Sequence, residues 1–158
     1  MDISYQIEDQ KFNYRVAGVL LYGGKILTMQ DERSPYYYLP GGRVKLGETA
    51  EQAILREVRE ELGIEVKIDR PLWLNQSFFV EDVDHLHYHE LCLYFLLDFT
   101  GTDLLGHGMK FRGAETHHRQ VFEWLDFSCL KDAYFYPLFL KEKIFCLPQS
   151  LELLTTYE

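Results

Sequence analysis

The 158-residue chain is short of cysteine and of basic charge, and it has no long apolar run. Only Cys92, Cys129 and Cys146 occur, an odd number with no CxxC spacing. That excludes a disulfide framework or a zinc knuckle as the organising device and fits a reducing, cytoplasmic setting. Lys and Arg total 16 against 25 Asp and Glu, a net charge of −9. Such a balance disfavours a nonspecific grip on nucleic acid, which depends on clustered cations. No apolar stretch approaches the roughly 20 residues of a membrane span, and the acidic start MDISYQIEDQ has no signal-peptide pattern. Internal repeats, low-complexity linkers and a second-domain boundary are also missing. With 47% hydrophobic residues, the expectation is one domain over 1–158 that buries an ordinary core.

What is present begins with alternating, aromatic-rich segments. Phe12 to Tyr22 and Lys25 to Gln30 read as strands joined by the hairpin signal Gly23-Gly24, and Tyr36 to Leu39 as a short strand ending at Pro40. Gly41-Gly42 then reads as a tight loop. Thr49 with Gln52 forms a capping-box pattern and Gly63 supplies a C-terminal stop, so a helix is expected over 50–62. Ile64 to Asp69, Trp73 to Glu81 and Tyr88 to Phe99 read as strands, the last two as a hairpin around Val83 to His85. Residues 101–118 are Gly-rich and aperiodic, a long loop of a length that is often functional. A strand at Gln120 to Leu125 and a helix from Pro137 to Cys146 close the fold. LPQSLELLTTYE is either a loose tail or a contact in a homodimer.

The helix concentrates charge. Ala50, Ile54, Val58 and Leu62 make one apolar stripe, while Glu57, Glu60 and Glu61 share a neighbouring face at i, i+3 and i+4. If that face is partly buried, charges about 5.5 Å apart at an effective dielectric of 20 repel by roughly 3 kcal/mol per pair. A bound divalent cation turns that penalty into binding energy. Oxygen-only ligands favour Mg²⁺ or Mn²⁺ over zinc. On a solvated face the same pairs cost only about 0.2–0.5 kcal/mol each, and Arg56 and Arg59 offset them.

The wider spacing separates these readings. Gly42, five residues, Glu48, seven residues, Arg56-Glu57, Val58, Arg59, Glu60-Glu61, Leu62, Gly63 and Ile64 match the Nudix box at every position. The chain therefore resembles a Nudix hydrolase, and the resemblance implies an α/β/α sandwich around a mixed sheet. It also implies metal-dependent hydrolysis of a nucleoside diphosphate linked to another group X. Residue by residue, Glu57, Glu60 and Glu61 match the metal-binding glutamates, Glu60 foremost, and the Gly42 carbonyl matches a further ligand. Arg56 matches the arginine that orients them, and Glu48 the brace between loop and helix. Gly63 stays structural and Arg59 solvated. The general base implied is a box glutamate or one on a later loop, here Glu57 or Glu115.

Substrate walls are expected outside the box: Tyr36, Tyr37 and Tyr38 for stacking on a base, and His87, His89 and Glu90 on the following hairpin. His85, His87 and His89 alternate as a strand face does, and His117-His118 point opposite ways if extended. The substrate class stays open among ADP-ribose, nucleotide sugars and modified nucleoside triphosphates. The competing reading is a nucleotide sensor or regulatory binding domain without turnover.

Overall fold

A computed structural model describes all residues from Met1 to Glu158. In chain order the elements are β1 (Ser4–Ile7), β2 (Gln10–Val19), β3 (Leu21–Tyr22), β4 (Lys25–Gln30), β5 (Gly41–Arg43) and α1 (Ala50–Leu62). There follow β6 (Lys67–Val80), β7 (His87–Asp98), β8 (Lys110–Arg112), β9 (Val121–Asp126), α2 (Leu140–Lys143) and β10 (Glu152–Tyr157). A mixed sheet runs β1-β2-β7-β6-β10, with β5 also on β2, and a smaller antiparallel sheet runs β3-β4-β9-β8. β2 pairs with β7, and β6 with β10, in parallel; the other ladders are antiparallel.

Two apolar clusters give the expected α/β arrangement. Val16, Leu20, Leu27, Val58, Ile54 and Phe122 unite α1 with both sheets. Ala17, Trp73, Tyr94, Phe135, Leu140 and Ile144 cover part of the mixed sheet with the segment that contains α2. The helix stripe behaves as its spacing requires, with Ala50, Ile54, Val58 and Leu62 all buried. At the helix start, the Thr49 hydroxyl accepts from the Gln52 N–H at 3.1 Å, and the Gln52 side chain accepts from the Thr49 N–H at 2.9 Å. A cap of this kind contributes about 1 kcal/mol. At the other end Gly63 adopts a left-handed φ of 69° and donates its N–H to the Arg59 carbonyl.

Several segments differ from the pattern-based reading. The two strands expected over 64–81 are one, β6, because Pro71 falls at a register shift beyond the span that β10 pairs, where its missing N–H costs no ladder bond. Gly41-Gly42 is not a loop but part of β5, pairing with Ala17 and Val16. Tyr36 to Leu39 makes only isolated bridges at Tyr37 and Tyr38. The 101–118 loop carries a 3-10 turn (Leu104–His107) and β8. The closing helix shrinks to one turn, and the supposed tail is β10, docked beside Trp73 to Phe78. Its alternation was too short and too near the end to stand out as a strand. No helix is long and apolar enough to cross a membrane.

Candidate active site

The box residues meet where β5 lies under α1. A Cβ on Gly42 would stand 2.4 Å from Glu57 Oε1, so only glycine lets this carboxylate lie down on the strand. Arg56 links both sides of the junction. Its Nε and Nη2 donate to Glu48 Oε2 and Oε1 at 2.7 and 2.9 Å, a bidentate fork. Nη1 donates to Glu57 at 2.9 Å and reaches Glu60 at 3.4 Å, and Nη2 also donates to the Arg43 carbonyl at 3.2 Å. Glu48 further accepts from the Lys45 N–H at 3.0 Å, so it is held within the loop on one side and by Arg56 of the helix on the other.

The carboxylates occupy three different settings. Hydrogen bonds from Arg56, outweighing partial burial, hold Glu48 down to about 2. Burial pushes Glu57 up even though Arg56 touches it. Glu61 is 2% exposed. Burial raises its carboxyl well above the usual range, and the Glu57 charge adds to the effect, against a stabilising bond from the Gly41 N–H at 3.0 Å. Gln120, on the approach to β9, donates to Glu61 Oε2 at 3.3 Å, while its own Oε1 is buried without a partner. Glu60 remains exposed.

The loop expected to hold a catalytic group comes to this place. The Ala114 N–H donates to the Glu61 carbonyl at 2.8 Å, and half-buried Glu115 is near enough for its charge to raise Glu61. Arg59 is exposed and paired with Glu65 instead, as a solvated residue should be.

Glu57, Glu60 and Glu61 do not form a closed cage; no group of three His, Cys, Asp or Glu is assembled for an ion. The donor set nevertheless fits a hard divalent cation. Mg²⁺ commonly takes one or two carboxylates, several waters and substrate phosphate oxygens rather than an all-protein cage. Here Glu57 and Glu61 crowd together with raised affinity for positive charge, beside an orphaned amide oxygen of Gln120.

The hairpin expectation divides. On β7, Glu90 lies opposite Asn13 of β2 and Ser77 of β6, whereas His89 lies opposite Phe12 and Phe78 and so faces the other side of the sheet. His87 shares that other side. There Tyr5, Phe12, His89, Phe78 and Tyr157 form a continuous row of rings with centroids 4.5 to 5.5 Å apart, bordering a cleft of about 460 Å³. His87, His89 and Glu90 therefore cannot line one pocket. That cleft holds none of the box residues, so size alone does not make it the reaction site. His85 lies in the loop before β7, and His117 and His118 are exposed.

The tyrosines divide in the same way. Tyr36 and Tyr38 are within reach of Arg15's charge, with Tyr36 bonded to Glu81 and Tyr38 to Asp31. Tyr37 instead packs with the second core cluster and donates to Glu123. Two polar residues at the site, Arg15 on β2 and Gln120, do not stand out in the sequence. An arginine within a largely apolar strand is the available signal for the first; nothing local marks the second.

Carboxylates of one helix thus meet over a glycine floor on an α/β scaffold, with Arg56 joining Glu57 to the loop residue Glu48. The family model for the NUDIX domain matches residues 13–140, and the chain belongs to that family. Members generally use divalent metal ions. The chain is 35% identical over 92 residues to an ADP-ribose pyrophosphatase of Methanocaldococcus jannaschii, covering 56% of this chain and 52% of that protein. It is 29% identical over 113 residues to a CTP pyrophosphohydrolase of Escherichia coli, covering 69% and 72%. The chain thus spans about half the length of the first of these relatives. In fold it is similar to a mutator MutT protein from Bacillus halodurans, with a TM-score of 0.63, 14% identity and 92% and 89% of the two chains covered.

Proposed function

We propose that this chain, as a single Nudix domain, hydrolyses the diphosphate linkage of a nucleoside diphosphate joined to another group, using Mg²⁺ or Mn²⁺. The observation that carries the reading is the Glu57–Glu61 pair: Glu57 lies half-buried over Gly42 and is held by Arg56, while Glu61 is buried beside it with no guanidinium of its own. Glu57, Glu60, Glu61 and the Gly42 carbonyl would hold the cation. When bound, it neutralises phosphate oxygens and makes water a better nucleophile at phosphorus.

The chain's own groups do the rest. Arg56 keeps Glu57 and Glu60 in place through bonds to both, while Glu48 fixes Arg56 from the opposite side. Proton removal from the attacking water falls to Glu57 or Glu115, the two carboxylates near Glu61 that are not fully enclosed. Tyr36 and Tyr38 supply rings on the Arg15 side for the base or the group X. The substrate class, by likeness to proteins named for ADP-ribose, CTP and 8-oxo-dGTP, is a small nucleotide. Free Cys92, Cys129 and Cys146 support a cytoplasmic location, and the open edge of β10, with exposed Leu153 and Tyr157, supports a homodimer contact.

The test is a panel containing ADP-ribose, nucleotide sugars, CTP and 8-oxo-dGTP, incubated with Mg²⁺ and read by phosphorus NMR. Turnover is expected, with loss in excess EDTA and in Glu60→Gln. Full activity under either condition rejects the metal-dependent reading, and binding without turnover across the panel favours the sensor reading.

A further inference from the structure

Arg15 is unlike the other partly buried arginines of the chain. Arg43 pairs with Asp2, Arg56 with three glutamates and Arg70 with Asp69, whereas Arg15 has no ion pair or hydrogen bond. It is half-buried in the middle of β2. Burial opposes its charge, but the nearby Glu90 carboxylate, with smaller contributions from Cys92, Tyr38 and Tyr94, holds its pKa above the ordinary value. Its charge in turn acts on Glu57, Glu61 and Glu90. A guanidinium with its donors unspent, in a chain of net charge −9, stands between the box and the hairpin.

Beyond it lies a polar strip that an apolar core does not need. In register across the mixed sheet run Ser4, Asn13, Glu90, Ser77 and Thr156, all on the Arg15 face. Asn13 and Ser77 are buried. The Ser4 hydroxyl donates to Asn13 Oδ1 at 2.6 Å, which turns the amide nitrogen of Asn13 toward other partners, and Asn13 is close enough to bond Glu90. Burying a carboxylate beside an unpaired arginine without joining them is costly unless something else uses both.

We propose that Arg15 binds the phosphate on the nucleoside side of the substrate while Glu90, steadied by Asn13, accepts N–H bonds from the base. β2 lies between β5, the floor of the box, and β7, so Arg15 stands between the box and Glu90, and this order matches phosphate, phosphate, base along a nucleoside diphosphate. A carboxylate pairs best with two adjoining N–H donors, which guanine presents in its ring N–H and amino group; adenine has a bare lone pair at the corresponding ring nitrogen. The inference rests on the nucleotide reading above but concerns binding, so it is tested without turnover.

The probes are methylenediphosphonate and the α,β-methylene analogues of ADP, GDP and CDP, titrated calorimetrically in Mg²⁺. Arg15→Gln is expected to weaken all four by a similar factor of roughly tenfold or more, the scale of a lost charge-assisted bond. Glu90→Gln should leave methylenediphosphonate within about twofold and weaken the GDP analogue at least fivefold more than the ADP analogue. A change below fivefold in Arg15→Gln, an equal effect of Glu90→Gln on all four probes, or no binding by the wild type overturns the proposal. If circular dichroism shows Arg15→Gln unfolded, Arg15→Met keeps the packed stem and is read by the same criterion. Binding as described without hydrolysis of any panel substrate rejects the hydrolase reading alone; hydrolysis with unaltered binding in both variants rejects this one alone.

Discussion

Glu48 and Glu61 belong to the same motif and lie at opposite ends of the same glycine-floored junction, yet their surroundings are reversed. Glu48 receives a two-pronged guanidinium and a backbone N–H, and its carboxyl is held down to about 2. Glu61 is more deeply buried, receives one backbone N–H and one amide, and faces other carboxylates, so burial drives its carboxyl up. The first end is electrically complete and serves to hold shape. The second has too little positive charge for its negative groups, which is the condition under which a divalent cation and a phosphate chain bind. Arg56 cannot satisfy both, because its fork is already spent on Glu48.

The largest expected effect lies on the incomplete side and separates the two candidates for the base. Glu57→Gln and Glu115→Gln each remove one carboxylate that borders Glu61. The one that takes the proton should lose about 10²–10⁴-fold in kcat. Glu115→Gln is expected to carry that loss with little change in the Mg²⁺ concentration needed for half-maximal rate, whereas Glu57→Gln should shift that concentration. A loss below threefold in Glu115→Gln assigns the base to Glu57.

On the complete side the expected effect is on stability. Glu48→Gln breaks a charge-assisted fork in a largely shielded setting and should cost about 1–3 kcal/mol in denaturant unfolding. The pH dependence has a definite sign. Glu48 is depressed in the folded state, so its contribution is fully present above the ordinary carboxylate value and is lost as pH falls from there toward about 2. The wild type should therefore lose its margin over Glu48→Gln across that acid window, and equal gaps at pH 7 and pH 3 would show that the fork contributes little.

How much of this was legible in the sequence follows the range of the forces involved. The box, the cap at Thr49 and the stripe through Ile54 and Val58 are local, so spacing alone placed them. β5 has the local pattern of a loop because a strand made of Gly41, Gly42 and Arg43 has no propensity of its own and forms only against β2. Nearness in sequence groups the histidines with Glu90, while the period of two in β7 sends His87 and His89 to one face and Glu90 to the other. Arg15 and Gln120 act through carboxylates more than 40 residues away, a relation that only the parallel β2–β7 pairing and the return of β9 create.

The smallest expected effect tests whether the second end is incomplete in energetic terms. In EDTA, Glu61→Gln replaces a buried acid by a neutral side chain of the same shape. Because burial raises the folded-state pKa, the wild type must give up stability as pH climbs above the ordinary carboxylate range, where the unfolded chain ionises freely and the native carboxyl resists. Glu61→Gln has no such loss. Its melting temperature should exceed that of the wild type by a few degrees near neutrality, the scale of about 1 kcal/mol for a chain of this size, and the gap should grow from pH 5 to pH 8. Added Mg²⁺ should reverse the ranking by stabilising the wild type alone, since the amide offers no anionic oxygen. A variant less stable than the wild type in EDTA at every pH would mean that the bonds from Gly41 and Gln120 already compensate Glu61, and the contrast with Glu48 would then be one of geometry and not of charge.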